Sequence, residues 1–281
     1  MSSSHRLSIH PLVLRTTPGH NDTLPETAMS IPEASSELIK TTTAKRATCR
    51  KYSTFASARL RIAVVTAHFG EHKEHYEMVR QTHLLHALVH GTEVRVMWDP
   101  IVDDLWNKPA FILELLMREM VKPEKERLEW IQWVDRDTLV LDQCRPISSF
   151  LPPEETRSNP GWYRDDRTKQ VHPNTTNLHY ILDTDQFTHE TRYIPEHRLN
   201  AYGEGGAPLF EERQDTEGLQ EGSARRGGYL VHFARHGHKG EAIREWTGML
   251  GRLGDVWKEK KVPRDVSPGI EAFWANLGYA R

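Results

Sequence analysis

The sequence predicts an α/β fold built on a mostly parallel central sheet and preceded by a disordered N-terminal arm. Three observations carry this expectation. Short uninterrupted apolar runs such as residues 60–70, LRIAVVTAHFG, fit strands buried on both faces. A strand, a helix and a second strand follow one another over residues 60–98, the spacing of a βαβ unit. A third apolar run, residues 130–134, ends in Asp135 and Asp137, where open parallel sheets take their ligands.

In chain order, residues 1–57 are rich in Ser, Thr and Pro with little periodic hydrophobicity, and read as a disordered arm. Residues 58–281 form the folded domain. Its first strand ends at Gly70. Residues 74–90 space Tyr76, Val79, Leu84 and Leu88 as a helix does, with Gly91 as the stop. Residues 92–98 alternate as a second strand. Residues 110–121 are a strongly apolar helix, with Phe111, Leu113, Leu115, Leu116, Met117 and Met120 as core candidates and Pro123 as terminator. Asp103 and Asp104 precede it and suit a helix start. Residues 138–141 resume as a short strand.

From 152 to 177 the composition turns polar, and an irregular insert is expected there. Residues 178–182 and 191–194 are strand candidates, and the Gly- and Glu-rich stretch 200–228 reads as a loop. Residues 229–234, YLVHFA, are a last buried strand carrying His232. Residues 241–258 are an amphipathic helix with Ile243, Trp246, Met249, Leu250, Leu253 and Trp257 on one side.

Composition excludes several classes. The chain has 281 residues, enough for one large domain or two small ones. A net charge of -2 argues against a nucleic-acid partner through bulk electrostatics. No window approaches the roughly 20 apolar residues of a membrane span, and no secretory leader is visible. Two cysteines, Cys49 and Cys144, cannot make a disulfide framework; one bridge is conceivable, but two free thiols are expected.

The candidate chemistry centres on the aspartate pair. In an extended segment residues i and i+2 point to one side, so Asp135 and Asp137 converge. Like charges held together call for a cation or a shared proton. A hard divalent ion, Mn²⁺ or Mg²⁺, suits such oxygens and also grips a diphosphate. Asp183 and Asp185 repeat the spacing without a preceding strand. His232 lies inside an apolar strand, where a satisfied core histidine is the usual case, yet imidazole suits Mn²⁺ as well. His83, His86 and His90 fall near one helix face, but no acidic or cysteine partner completes a zinc site there. Arg80 is in reach of a diphosphate, against the plainer reading of a surface arginine. Trp130 and Trp133 read as core.

Four blocks in order, RIAVVTAHFG, EWIQWVDRDTLVL, RLNAY and YLVHFA, resemble those of family 34 glycosyltransferases. That family holds the fungal α-galactosyltransferase and α-mannosyltransferase-complex proteins and the plant xyloglucan xylosyltransferases. The resemblance implies a GT-A fold, a Rossmann-like α/β sandwich. It implies retaining transfer of a hexose, galactose or mannose, from a UDP- or GDP-sugar to a glycan or glycoprotein acceptor, without a protein nucleophile. It implies Mn²⁺ held by Asp137 and His232, with Asp135 near the ribose and the metal, and contacts to the nucleotide base around Thr66 and Ala67. A Golgi membrane or lumenal location and homologous glycosyltransferase subunits as partners are implied likewise. The family's Leu-Asn-x-Gly turn between the aspartate and RLNAY blocks has no counterpart here, which motivates an alternative: a glycosyltransferase-like subunit that binds a partner enzyme without turnover. A phosphoester hydrolase built on the same aspartates lacks the further ligands of a two-metal site.

Overall fold

The computed structural model describes residues 13–14, 29–30, 35–52, 60–103, 106–152, 162–165, 191–194, 196–203, 205–213, 217–234, 236–253 and 267–278. The strands are β1 (Val13–Leu14), β2 (Met29–Ser30), β3 (Ile62–Ala67), β4 (Glu93–Met97), β5 (Trp130–Trp133), β6 (Thr138–Val140), β7 (Trp162–Asp165), β8 (Thr191–Ile194), β9 (Ala201–Tyr202) and β10 (Leu230–His232). The helices are α1 (Ser36–Tyr52), α2 (Glu74–His90), α3 (Asn107–Met120), α4 (Glu196–Leu199), α5 (Gly206–Glu212), α6 (Lys239–Leu253) and α7 (Ser267–Asn276).

Seven strands form one sheet in the order β2-β4-β3-β5-β1-β7-β8. Its centre, β4-β3-β5, is parallel, with Val65 opposite Trp133 and Val64 opposite Val94. β7 and β8 are also parallel, whereas β1 and β2 join antiparallel. The fold is therefore the expected mixed α/β one with a parallel centre. Alternation along β3 explains the layers. Ile62 and Val64 face a core completed by Leu84 and Ala87 of α2, while Ala63 and Val65 face Phe111, Ile112 and Leu115 of α3. Both faces are covered, so the strand is apolar throughout.

A second sheet, β6-β10-β9, packs against α6 through Leu139, Val231, Phe233, Ile243, Trp246 and Met249. The chain leaves β5 in the first sheet and enters β6 in the second through Asp135–Arg136–Asp137. The aspartate pair is the corner between the two sheets.

Several expectations are corrected. The disordered arm was expected to reach residue 57, but residues 36–52 are helix α1. Ser35 Oγ accepts the Leu38 amide at its start, Leu38 is buried in the core, and Cys49 is bridged to Cys144, 95 residues away. These are tertiary anchors on a Ser/Thr/Lys-rich sequence, which periodicity cannot reveal. The free-thiol expectation falls with the same bridge. Residues 162–165, inside the polar stretch, pair as β7. The stretch read as a loop over 200–228 contains β9 and α5. Leu113 and Met117, expected in the core, are exposed. α3 begins at Asn107 without a side-chain cap, and Asp103 contributes only its carbonyl, to the Trp106 amide. Asp104, Trp257, the 178–182 strand candidate and Asp183 and Asp185 lie outside the described residues. No helix among the described residues is long and apolar enough to cross a membrane.

Candidate metal and anion site

β5 delivers the aspartates. The Val134 amide donates to Val65 O at 2.9 Å, and the Thr138 amide then closes a tight turn onto Asp135 O at 3.1 Å. The pair is thus carried on a turn rather than on the extended strand that the sequence suggested. β10 supplies the third group. It pairs antiparallel with β6, His232 opposite Thr138, and the Phe233 amide donates to Asp137 O at 3.0 Å. That register sets His232 Nε2 3.2 Å from Asp137 Oδ1 and 3.6 Å from Asp135 Oδ2.

The ligand atoms of Asp135, Asp137 and His232 all lie within 4.8 Å of one another. Neighbouring ligands of an octahedral Mg²⁺ at about 2.1 Å sit about 3 Å apart, so the spacing fits one ion with little movement. Two carboxylate oxygens and one imidazole nitrogen suit Mn²⁺ or Mg²⁺. Asp137 and His232 are buried and Asp135 is half-buried. Burial works against the Asp137 charge, but the hydrogen bond and charge of His232 and the ammonium of Lys239 outweigh it. They hold this carboxyl well below the usual carboxylate range.

Two lysines flank the carboxylates. Lys239, the first residue of α6, is salt-bridged to Asp137 Oδ2. Lys108, in the first turn of α3, has Nζ 3.9 Å from Asp135 Oδ1 and 5.0 Å from the Trp133 ring centroid. Trp133 Nε1 donates to Asp135 Oδ1 at 2.7 Å, so this tryptophan is both core and a carboxylate partner. Neither lysine was anticipated. Each sits at a helix N-terminus, where a cation opposes the macrodipole by about 0.3–1 kcal/mol. That misplacement is a sequence signal for a charge needed elsewhere.

Of the remaining candidates, Thr66 and Ala67 end β3 and Arg80 lies on α2. Thr66 is buried at the end of β3, and its Oγ1 has no hydrogen-bond partner among the described residues. Ala67 follows, partly exposed. Arg80 Nε donates to Glu77 Oε2 at 2.7 Å, and its guanidinium lies 5.6 Å from the Trp98 ring centroid. Burial first, then the charge of Arg80, pushes the neighbouring His68 down to about 4. Thr66 and Ala67 thus end the strand next to β5, Arg80 lies on α2, and none of the three belongs to the cluster of ligand atoms.

The three α2 histidines are not a metal site. His83 Nε2 donates to Thr138 O, His86 Nε2 to Arg145 O at 2.8 Å, and His90 Nε2 to Gln143 O at 2.9 Å. They clamp the segment that follows the aspartates to α2. The disulfide at Cys144 clamps the same segment to α1. The turn that carries the candidate ligands is thereby tied through its following segment to both α1 and α2.

No protein-family model and no curated protein matches this sequence. Among solved structures, the chain is similar to the crystal structure of a glycosyltransferase involved in the glycosylation of the major capsid of PBCV-1. The identity is 12% and the TM-score 0.45, covering 66% of this chain and 98% of that one.

Proposed function

We propose that this protein is a glycosyltransferase that transfers a hexose from a nucleotide sugar to a glycan, with retention of configuration and dependence on Mn²⁺ or Mg²⁺. The observation that carries this reading is the convergence of Asp135, Asp137 and His232 at the sheet corner, with Lys108 and Lys239 on their outer oxygens. Three metal ligands beside two ammonium groups form a receptor for a diphosphate. A bound divalent ion supplies Lewis-acid stabilisation of the departing diphosphate. Lys239 and Lys108, freed as the carboxylates turn to the ion, would bind the phosphate oxygens. The edge formed by Thr66, Ala67, Arg80 and Trp98 takes the nucleoside. The family 34 blocks in the sequence agree with this reading. The buried Cys49–Cys144 bridge supports folding in an oxidising compartment such as a secretory lumen.

The test is thermal. Mn²⁺ with UDP or GDP raises the melting temperature beyond either alone, and Asp137→Ala abolishes the joint shift. Absence of a shift with any nucleotide in the wild-type protein overturns the reading.

A second reading, a non-catalytic subunit of a glycosyltransferase assembly, draws on one observation. Trp106, Leu113, Met117 and Val121 present exposed apolar groups along α3 and its ends, with exposures of 67%, 59%, 41% and 46%. Such a stripe fits a protein partner. Sugar transfer or donor hydrolysis by the purified chain excludes this alternative.

A further inference from the structure

Asn200 touches neither carboxylate, yet it holds the third member of the cluster. It is fully buried and immediately precedes β9, which runs parallel to β10 with Tyr202 opposite His232. Its Oδ1 lies 2.8 Å from His232 Nδ1, and its Nδ2 donates to the Tyr202 hydroxyl at 3.2 Å. The Tyr202 ring stacks on the imidazole, with centroids 5.9 Å apart and planes inclined by 23°.

These contacts are coupled. A neutral imidazole carries its proton on one nitrogen only. With the carbonyl of Asn200 facing Nδ1, a neutral ring keeps its proton there and can turn an Nε2 lone pair to an ion; without an ion, Nε2 hydrogen-bonds Asp137 instead. Nε2 is the nitrogen that faces Asp135 and Asp137. With the amide reversed, an NH₂ group would face Nδ1, the ring proton would move to Nε2, and the lone pair would point away from the carboxylates. The Tyr202 hydroxyl meets the amide nitrogen and the Tyr202 ring lies against the imidazole, so Asn200 and Tyr202 together hold the His232 ring.

We infer that Asn200 is a positioning residue that engages Nδ1 of His232 and so turns Nε2 towards a divalent ion beside Asp135 and Asp137. The inference rests on the metal site proposed above. A hydrogen-bonded outer partner of this kind typically changes metal affinity by about 10–100-fold.

The experiment has two arms. In the first, ¹⁵N NMR of histidine-labelled wild-type protein saturated with Mg²⁺ reads His232. The expected spectrum has a protonated Nδ1 and an unprotonated Nε2, and a protonated Nε2 in the Mg²⁺-saturated protein overturns the inference. In the second, calorimetric titration with Mn²⁺ compares the wild type with Asn200→Leu and Asn200→Asp. Asn200→Leu is expected to bind about 10–100-fold more weakly, while Asn200→Asp, which keeps the acceptor, stays near the wild type. Wild-type affinity in Asn200→Leu, or equal losses in both variants, overturns the inference, because a merely structural role does not separate them. If the wild type itself binds no Mn²⁺, the metal reading fails and this inference falls with it, whereas binding by the wild type with unchanged affinity in Asn200→Leu overturns the inference alone.

Discussion

Lys239 is salt-bridged to Asp137, 102 residues away in the chain, through the carboxylate oxygen that His232 does not approach. The ammonium therefore sits where an incoming metal–diphosphate pair must rearrange charge. Lysine and metal compete for one carboxylate, while lysine and diphosphate attract. Lys239→Met is expected to tighten Mn²⁺ binding in the absence of nucleotide. The same change is expected to weaken nucleoside diphosphate binding in the presence of Mn²⁺ by about tenfold, or about 1.4 kcal/mol. Calorimetry of each titration separates the two effects, and parallel changes in both would refute the competition.

The disulfide closes a long loop between α1 and the segment after β6. Such a bridge is worth about 2–4 kcal/mol, chiefly through the unfolded chain. The double substitution Cys49→Ser, Cys144→Ser is expected to lower the unfolding free energy from urea titration by that amount, and a reductant is expected to lower the midpoint of the wild type but not of the double variant. Equal midpoints with and without reductant in the wild type would contradict this.

Stability should fall on mild acidification. Burial pushes His83 down to about 4 from its ordinary 6.5, and burial also pushes His68 down to about 4 and lowers His86 and His90. Below 6.5 the unfolded chain takes up protons that the folded chain refuses. The stabilisation is thus complete above 6.5 and is lost as pH falls towards 4. For His83 alone it is on the order of 3 kcal/mol. Urea unfolding compared at about pH 7.5 and about pH 5 reads this loss. Replacing His83 with Gln is expected to flatten the dependence while lowering stability at neutral pH.

Gly203 follows Tyr202, and a Cβ built there would lie 3.1 Å from Trp246 Cζ2. Trp246 is buried, with Phe210 and Phe233 as ring neighbours, so it has little room to yield. Gly203→Ala is expected to destabilise by about 1–3 kcal/mol through overpacking. Because β9 carries the stack on His232, Mn²⁺ affinity should fall with it. Unchanged unfolding and unchanged binding would show that Trp246 moves freely.

Much of the architecture was legible in local pattern. The run that became β3 is apolar on both faces because α2 and α3 cover both, and α2 showed its helical spacing and its Gly91 stop. The turn at Asp135 and Asp137 was marked by two carboxylates after a buried strand. Less visible was α1, whose helix rests on a capping serine, one core leucine and a disulfide rather than on an amphipathic stripe. The two site lysines were legible only as charges at the wrong ends of helices.

The sequence by itself determined which segments are buried and that two acidic groups end a central strand, because periodicity and residue chemistry act over a few positions. Only the tertiary structure decided that His232 lies opposite Thr138, that Asn200 reaches its far nitrogen, and that Lys239 and Lys108 meet the carboxylates. Those relations are set by strand register and helix placement across long stretches of chain. Such pairings emerge when the whole core is packed, and no local pattern specifies them.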